Sequence, residues 1–309
     1  MRLFIKNLLL FFLLFLFLFP LYSYIWEFKI SKIFPSVSIG RYIDDSSDYM
    51  KLRTQEVQKT QNVDILFLGS SHTYRGFDPR IFKTYGMDSF NLGSSSQSPL
   101  QTEVLLKRYY RDLNPKMVIF EIYPGVFEGD GVEASLVLLS SDKIDFPAFW
   151  MTLITNNRIA YSSLLKAFFN NNLAQTKTIL SPTKYRTHNY VSGGYVERDQ
   201  LYFYKPEPID RSTWTYNKSQ WKAFERCLKI IKSNDAQVVL VYAPITKALY
   251  DSKTNNEEFL ERMRVYGYPV YDFNTKINLD DTLHFYDSHH LNQDGVKLFN
   301  RALLAELNP

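Results

Sequence analysis

Four short apolar runs constrain the fold of this chain most strongly, because helical patterns alternate with them. The runs cover residues 63–68, 117–122, 237–243 and 268–273. Between them, apolar residues recur at helical spacing in two stretches: Trp221, Phe224, Leu228 and Ile231, and then Phe259, Met263 and Tyr266. Strands that alternate with helices predict an α/β domain, in which a parallel sheet lies between two layers of helices as a three-layer α/β/α sandwich.

The segment of about 126–215 breaks this alternation and is too long for an ordinary connection. We interpret it as an inserted, mainly helical cap, with helices near 146–155 and 158–175 and then a loop region rich in tyrosine and proline. Clustered aromatic rings can stack on sugar rings, although packing is their commoner role. The tyrosines concerned are Tyr185, Tyr190, Tyr195, Tyr202 and Tyr204.

The amino terminus carries a long apolar run. Residues 8–19 are all Leu or Phe, and the run continues past Pro20 to Trp26. At about 1.5 Å per residue, a helix of this length is close to the thickness of a bilayer core. The run therefore predicts one transmembrane helix with an aromatic belt of Tyr22, Tyr24 and Trp26.

A cleaved signal peptide is the alternative for this run, because Arg2 and Lys6 precede it, but no Ala-x-Ala type of cleavage site follows. We favour a retained anchor. The predicted organisation is an anchor at 1–29, a polar connector at 30–61 with a short helix at about 49–59, and one α/β domain at 62–309.

Charge and cysteine content exclude several classes of protein. The net charge is +4 over 309 residues and there is no arginine-rich run, so nucleic acid is not an expected partner. The single cysteine, Cys227, cannot form an intramolecular disulfide, and its position on an apolar helical face favours a packing role. The chain has no phosphate-binding glycine loop, and we expect no cofactor.

Two motifs at opposite ends of the domain carry the candidate chemistry. Gly69-Ser70-Ser71 closes the first apolar run, which places a hydroxyl at the carboxyl end of a strand, where α/β sheets bind ligands. Asp287 stands three residues before His290. One turn of chain would let Asp287 hold the imidazole in the tautomer that accepts a proton from Ser71. A serine needs such a base because its hydroxyl is a poor nucleophile at neutral pH.

Structural roles stay open for the same residues. A Gly-Ser-Ser after a strand is often a turn or a helix N-cap, and His290 is also compatible with a core or capping position. His72 is expected to be an exposed loop histidine or to line the pocket. A metal site formed by His284, His289, His290 and Asp287 is a weaker alternative, because no helical His-x-x-x-His pair or cysteine ligand supports it.

These motifs resemble the conserved blocks of the SGNH (GDSL-like) hydrolases. Gly69-Ser70-Ser71 is similar to the first block, Gly-Asp-Ser, with Ser70 in place of the aspartate. Asn91-Leu92-Gly93 is similar to the second block, and Asp287 with His290 matches the Asp-x-x-His of the fourth, followed by the usual Leu-Asn and Gly295. The resemblance covers about 62–125 and 236–307. It extends to the membrane-anchored branch that includes the D-alanyl transfer protein of teichoic acid synthesis and the alginate O-acetylation proteins.

The resemblance implies a flavodoxin-like fold and assigns roles at the site. Ser71 would be the nucleophile, His290 the base and Asp287 its partner, and the N–H groups of Ser71 and Gly93 would form the oxyanion hole. The third block, Gly-x-Asn-Asp, should lie at 118–124, but no asparagine stands there. One oxyanion donor is therefore missing or supplied from elsewhere, which predicts a slow enzyme or one whose partner completes the hole.

The implied function is that of an anchored, extracytoplasmic serine esterase or O-acyltransferase that acts on a cell-envelope glycan through an acyl-enzyme. A membrane-bound O-acyltransferase is the implied partner. The alternative is a non-catalytic accessory or glycan-binding protein of polysaccharide assembly. The distance between Ser71 Oγ and His290 discriminates between the two hypotheses.

Overall fold

The computed structural model describes residues 1–25, 45–173, 184–185, 188–204 and 208–307 of the chain. Two predicted features lie outside these ranges: Trp26 of the aromatic belt and residues 30–44 of the connector.

The strands of the described residues form two sheets. A parallel sheet has the order β2-β1-β3-β7-β8, and a small antiparallel sheet has the order β4-β5-β6. The strands are β1 (Ile65–Leu68), β2 (Ser89–Asn91), β3 (Met117–Glu121), β4 (Lys184–Tyr185), β5 (His188–Val191), β6 (Tyr195–Arg198), β7 (Gln237–Tyr242) and β8 (Val270–Asp272). Each of the four predicted runs contains one strand of the parallel sheet, so the predicted parallel α/β sheet is confirmed.

The α-helices of the described residues are α1 (Arg2–Ile25), α2 (Asp45–Val57), α3 (Ser71–Gly76), α4 (Pro79–Thr84), α5 (Pro99–Leu113), α6 (Val132–Ser141), α7 (Phe146–Thr155), α8 (Arg158–Leu173), α9 (Lys218–Lys232), α10 (Lys247–Ser252), α11 (Asn256–Arg264), α12 (Phe273–Lys276) and α13 (Gln293–Leu307). A 3₁₀ turn at Pro124–Phe127 follows β3.

Two apolar cores form because side chains alternate between the faces of each strand. Leu66 and Leu68 of β1 enter the core that is shared with α5, α9 and α11, where Phe224 of α9 is buried. Ile65 and Phe67 of the same strand enter the opposite core, which is shared with α4 and α13. The parallel sheet is thus covered on both faces, as the sequence predicts.

The first helix, α1, carries large apolar side chains that are exposed, among them Leu9 and Phe11. No helix within the described ranges is long and apolar enough to cross a membrane. The predicted transmembrane helix is therefore not supported by the structure. In the connector, α2 begins at Asp45, earlier than the predicted start near residue 49.

The segment 126–215, which is predicted to be an inserted cap, contains more regular structure than the sequence predicts. The expected helices correspond to α7 and α8, and α6 precedes them. The expected loop region contains β4, β5 and β6, whose two to four residues are too few for a clear sequence period. The tyrosines there differ in exposure, since Tyr195 is buried whereas Tyr202 and Tyr204 are exposed. The side chain of Tyr185 lies outside the described part of the chain.

The turn between β5 and β6 lies against the edge strand β2. The backbone N–H of Asn91 donates to the carbonyl of Gly193 at 2.8 Å. Gly193 and Gly194 both have positive φ, at 91° and 81°. The predicted cap is therefore joined to the parallel sheet at β2, the edge strand that pairs with β1.

Candidate active site

The chain reverses direction sharply after β1 to present Ser71. Gly69 has a φ of 143°, and a Cβ there would lie 2.3 Å from Thr73 Oγ1, so only glycine fits. Ser70 is the N-cap of α3, and its side chain accepts the backbone N–H of His72 at 3.3 Å. Ser71 is then the first residue of the helix. The capping role expected for this motif falls on Ser70, which leaves the Ser71 hydroxyl free to face the cleft.

Ser71, His290 and Asp287 form a continuous hydrogen-bonded chain. His290 Nε2 lies 2.8 Å from Ser71 Oγ. His290 Nδ1 lies 2.9 Å from Asp287 Oδ2 and 3.0 Å from Oδ1. The structure thus brings together the three side chains that the sequence proposes, across 219 positions of chain. This is the geometry that a serine nucleophile and its base require.

The carboxylate of Asp287 is held ionised. Burial acts to raise its pKa, but the hydrogen bond and charge of His290 and the N–H groups of His289 and His290 outweigh burial and hold the pKa well below its usual range. Burial lowers the pKa of His290, and Asp287 partly offsets this. His290 is therefore neutral near pH 7 and able to accept a proton.

The position of the site follows from the strand order. In the order β2-β1-β3-β7-β8, the chain changes direction across the sheet between β1 and β3, where open α/β sheets bind their ligands. Ser71 follows β1 at this point. The loop that carries His290 is held there by Thr246, whose N–H and hydroxyl both donate to the carbonyl of Ser288, at 3.1 and 3.0 Å.

Two aromatic rings stack with the imidazole of His290. The ring of Tyr286 lies at a centroid distance of 5.4 Å and an interplanar angle of 7°. The ring of His72 lies at a centroid distance of 5.2 Å and an interplanar angle of 22°. His72 is buried rather than an exposed loop histidine, and it lines the cleft beside Ser71.

The proposed oxyanion donors differ in their surroundings. The N–H of Ser71 belongs to the first turn of α3, where backbone N–H groups have no partner within the helix. The N–H of Gly93 donates to Asn91 Oδ1 at 3.0 Å, so it already has a partner. A Cβ at Gly93 would lie 2.8 Å from the carbonyl oxygen of Ser70, which gives this glycine a packing reason of its own. The oxyanion role of Gly93 stays a prediction.

A buried carboxylate lies beneath the nucleophile turn, where the resemblance would place the third block. Glu121 ends β3, and its Oε2 accepts the N–H and the hydroxyl of Ser70 at 3.1 and 2.9 Å. Its Oε1 accepts the N–H of Tyr123 at 2.6 Å. Burial raises the pKa of Glu121 to about 7, although these hydrogen bonds act against the increase.

The candidate nucleophile opens into a cleft of about 630 Å³. Tyr123 and Trp214 contribute aromatic surface to its lining. The charged side chains of the lining are three carboxylates and one ammonium: Glu128, Asp130, Glu133 and Lys253. The cleft thus combines aromatic surface with an excess of negative charge.

The remaining sequence hypotheses concern a metal and the cysteine. Within the described ranges, no group of three or more His, Cys, Asp or Glu residues is placed to hold a metal ion. His284 instead accepts the backbone N–H of Asp280 at 2.8 Å. Cys227 is fully buried and packs in the core of α5 and α9, in agreement with its predicted role.

Sequence reasoning missed Glu121 and Tyr286 and undervalued His72. Glu121 directly follows the apolar residues 117–120. This position indicates a buried carboxylate with partners, because buried carboxylates are rare unless they have partners. No sequence signal pairs Ser70 with Glu121, since 51 positions separate them.

Comparisons with solved structures yield weak likenesses of fold, of which two are described. A Bacteroides fragilis protein assigned as an acylhydrolase shares 11% identity at a TM-score of 0.42, over 86% of this chain and 98% of that one. A GDSL-like lipase of Bacteroides thetaiotaomicron shares 11% identity at a TM-score of 0.43, over 85% and 98%. No family model matches the chain, and no curated protein matches its sequence. At this level of similarity, the function has to be argued from the site itself.

Proposed function

We propose that this chain is a serine esterase or O-acyltransferase that forms an acyl-enzyme on Ser71. The observation that carries the proposal is the hydrogen-bonded chain from Ser71 Oγ through His290 to Asp287, with 2.8 Å between Ser71 Oγ and His290 Nε2. A merely structural serine has no need of a neutral, carboxylate-oriented imidazole at this distance.

The residues act in two half-reactions. His290 Nε2 accepts the proton of Ser71 while Oγ bonds to the ester carbonyl carbon, and Asp287 remains ionised and stabilises the imidazolium. The C–O bond to the leaving alcohol then breaks, and His290 returns the proton to that oxygen. In the second half-reaction, water or a sugar hydroxyl gives its proton to His290 and attacks the acyl carbon. The bond from the acyl carbon to Ser71 Oγ then breaks, and His290 returns the proton to Oγ. Water gives hydrolysis and a sugar hydroxyl gives transfer.

The residues that line the cleft favour an acceptor that carries many hydroxyl groups and no charge. The carboxylates of the cleft can accept hydrogen bonds from sugar hydroxyls. Three carboxylates against one ammonium disfavour an anionic polymer. The cell-envelope location, the membrane anchor and a membrane-bound O-acyltransferase partner enter this proposal through the sequence resemblance alone.

The test is turnover of p-nitrophenyl acetate by the purified full-length chain, together with labelling by a fluorophosphonate, which reacts with activated serines and needs no acceptor. We expect Ser71→Ala and His290→Ala each to lower kcat by about 10³-fold or more. His284→Ala is the matched control, because this histidine does not line the cleft.

Mass spectrometry of the labelled protein identifies the residue that reacts. Label on Ser71 in the wild type and its loss in both variants would support the acyl-enzyme. Turnover that is unchanged in both variants, or a wild type that is neither active nor labelled, would contradict the proposal and favour the non-catalytic accessory protein.

A further inference from the structure

The helix α7 carries its large apolar side chains on the side that faces solvent. Phe146, Phe149, Trp150 and Leu153 are between 39% and 73% exposed. Their spacing of three, four and seven positions places them on one side of the helix. The rings of Phe146 and Trp150 are stacked, with a centroid distance of 6.5 Å and an interplanar angle of 17°. We call these four residues the α7 stripe.

The buried side of α7 is made mostly of small or polar residues. It consists of Ala148, Met151, Thr152 and Thr155. The hydroxyl of Thr152 donates to the carbonyl of Ala148 at 2.9 Å, and the hydroxyl of Thr155 donates to the carbonyl of Met151 at 3.0 Å. A surface helix in water has the reverse arrangement, with its large apolar residues turned towards the core. The α7 stripe therefore indicates a surface that is covered by something other than water.

The helices next to α7 also expose apolar side chains. The helix α8 packs against α7 and contacts α1. Exposed large apolar residues of α8 include Ile159 and Phe168, and those of α1 include Leu9 and Phe11. Three helices in contact thus each present apolar surface to solvent, and an apolar area of this kind is typical of an interaction site.

The charges that accompany the α7 stripe are mainly positive. Lys143 and Arg158 precede and follow α7, and both are exposed. Residues 143–168 contain one further basic residue, Lys166, and a single acidic residue, Asp145. The carboxylate of Asp145 is engaged by Arg108 at 2.7 Å. Aromatic rings with flanking cations match an anionic lipid surface, where the rings enter the boundary below the headgroups and the cations meet the phosphates.

We propose that the α7 stripe binds the surface of an anionic lipid bilayer, with Lys143 and Arg158 at the headgroup phosphates. A second copy of the chain fits this surface less well, because two stripes face to face would bring their basic residues together. The stripe has fewer apolar side chains than α1, so it adds to an attachment by α1 and does not replace it.

The inference does not depend on the proposed catalytic function, but it has a consequence for the cleft. The first turn of α6 contributes Val132, Glu133 and Ala134 to the lining of the cleft. The same helix packs against α7. Binding of the α7 stripe to lipid therefore fixes the orientation of the cleft relative to the bilayer.

The test uses the full-length chain in nanodiscs of equal parts phosphatidylcholine and phosphatidylglycerol, which leave both sides of the bilayer open. Phe149→Cys places a reactive thiol in the stripe, because the native Cys227 is fully buried. A fluorophore on this thiol should lie about 5–10 Å into the headgroup boundary. We expect a lipid with a nitroxide near its headgroup to quench it, and we expect iodide in the water to quench it little.

Val265→Cys provides the matched control. Val265 is also an exposed apolar side chain, at the end of α11. A fluorophore there should show the opposite pattern, with strong quenching by iodide and little by the nitroxide lipid.

A second measurement tests the role of charge. In the chain labelled at position 149, Lys143→Gln and Arg158→Gln should each shift the equilibrium between bound and free stripe about 5-fold towards the free form. Nanodiscs of phosphatidylcholine alone should also favour the free form. Both side chains are exposed, so these substitutions should leave the fold intact, which circular dichroism checks.

The outcomes distinguish the occupants of the surface. Lipid quenching at position 149 but not at 265, weakened by loss of charge, would support the proposal. Equal iodide quenching at both positions would place the stripe in water and overturn it. A label shielded from iodide but not reached by the nitroxide lipid would mean that protein covers the stripe, which also overturns it. Lipid quenching that is independent of charge and headgroup would overturn the preference for anionic lipid.

Discussion

At the scale of single residues, the buried carboxyl group of Glu121 is expected to make the free energy of unfolding depend on pH. The pKa of Glu121 is about 7 in the folded chain, against 4.5 for an ordinary glutamate. Between these two values the folded state keeps its proton while the unfolded state releases it. The free energy of unfolding should therefore decrease as the pH rises through this window, by on the order of 3 kcal/mol from this group alone.

Urea unfolding at pH values on either side of this window tests the prediction. Glu121→Gln should remove this contribution, because an amide does not titrate. Glu258→Gln, which alters a carboxyl group that is 54% exposed, is the control and should leave the pH dependence unchanged. An equal pH dependence in wild type and Glu121→Gln would show that Glu121 does not bind its proton more tightly in the folded state.

Some residues of the site can be predicted from the sequence, and others cannot. Asp287 and His290 belong to one short motif, and Ser71 ends an apolar run, so each can be identified locally. The contacts of Glu121 and the burial of His72 depend on how β1 and β3 pair, which no local pattern encodes. The engagement of Gly93 by Asn91 could not be predicted either, because a motif specifies residue types but not the direction of an N–H.

Among the elements, the β5–β6 hairpin depends on its turn. Gly194 has a φ of 81°, and a Cβ there would lie 2.3 Å from the carbonyl oxygen of Asn91. Gly194→Ala should therefore add a backbone clash to the strain of positive φ and lower the free energy of unfolding by more than about 1 kcal/mol. Chemical denaturation measures the loss.

Gly86→Ala is the matched control for this substitution. Gly86 has a similar φ of 77°, but a Cβ there would meet no atom within 4 Å. It should show the cost of the backbone conformation alone. Equal losses in the two variants would mean that the hairpin turn does not press on β2.

The elements also differ in how far the sequence determines them. The strands β1, β3 and β7 lie within largely buried runs whose composition and length are typical of a parallel sheet, and β8 lies within a run that is only partly buried. The cap strands are short and only partly buried, and their pairing partners lie on the same hairpin. Their formation depends on the turn glycines and on the contact with β2, which is why a prediction from local pattern gave a loop.

At the scale of the whole molecule, the surface of α1 is largely apolar and exposed. Its large apolar side chains are exposed, for example Phe11 at 63% and Leu9 at 60%. An exposed apolar surface of this kind favours association with detergent or lipid. In Triton X-114 phase separation we expect the full chain to enter the detergent phase and a chain that starts at residue 45 to remain in the aqueous phase. Identical partition of the two chains would contradict this.

The contact between the hairpin turn and β2 has a consequence for the behaviour of the protein in a crowded solution. A strand at the border of a sheet presents unpaired backbone groups, and such groups invite a strand from another molecule to extend the sheet. The N–H of Asn91 is not available for such pairing, because it donates to the carbonyl of Gly193 in the same chain. The cap thereby protects this border against self-association and aggregation, in addition to any part it plays beside the cleft.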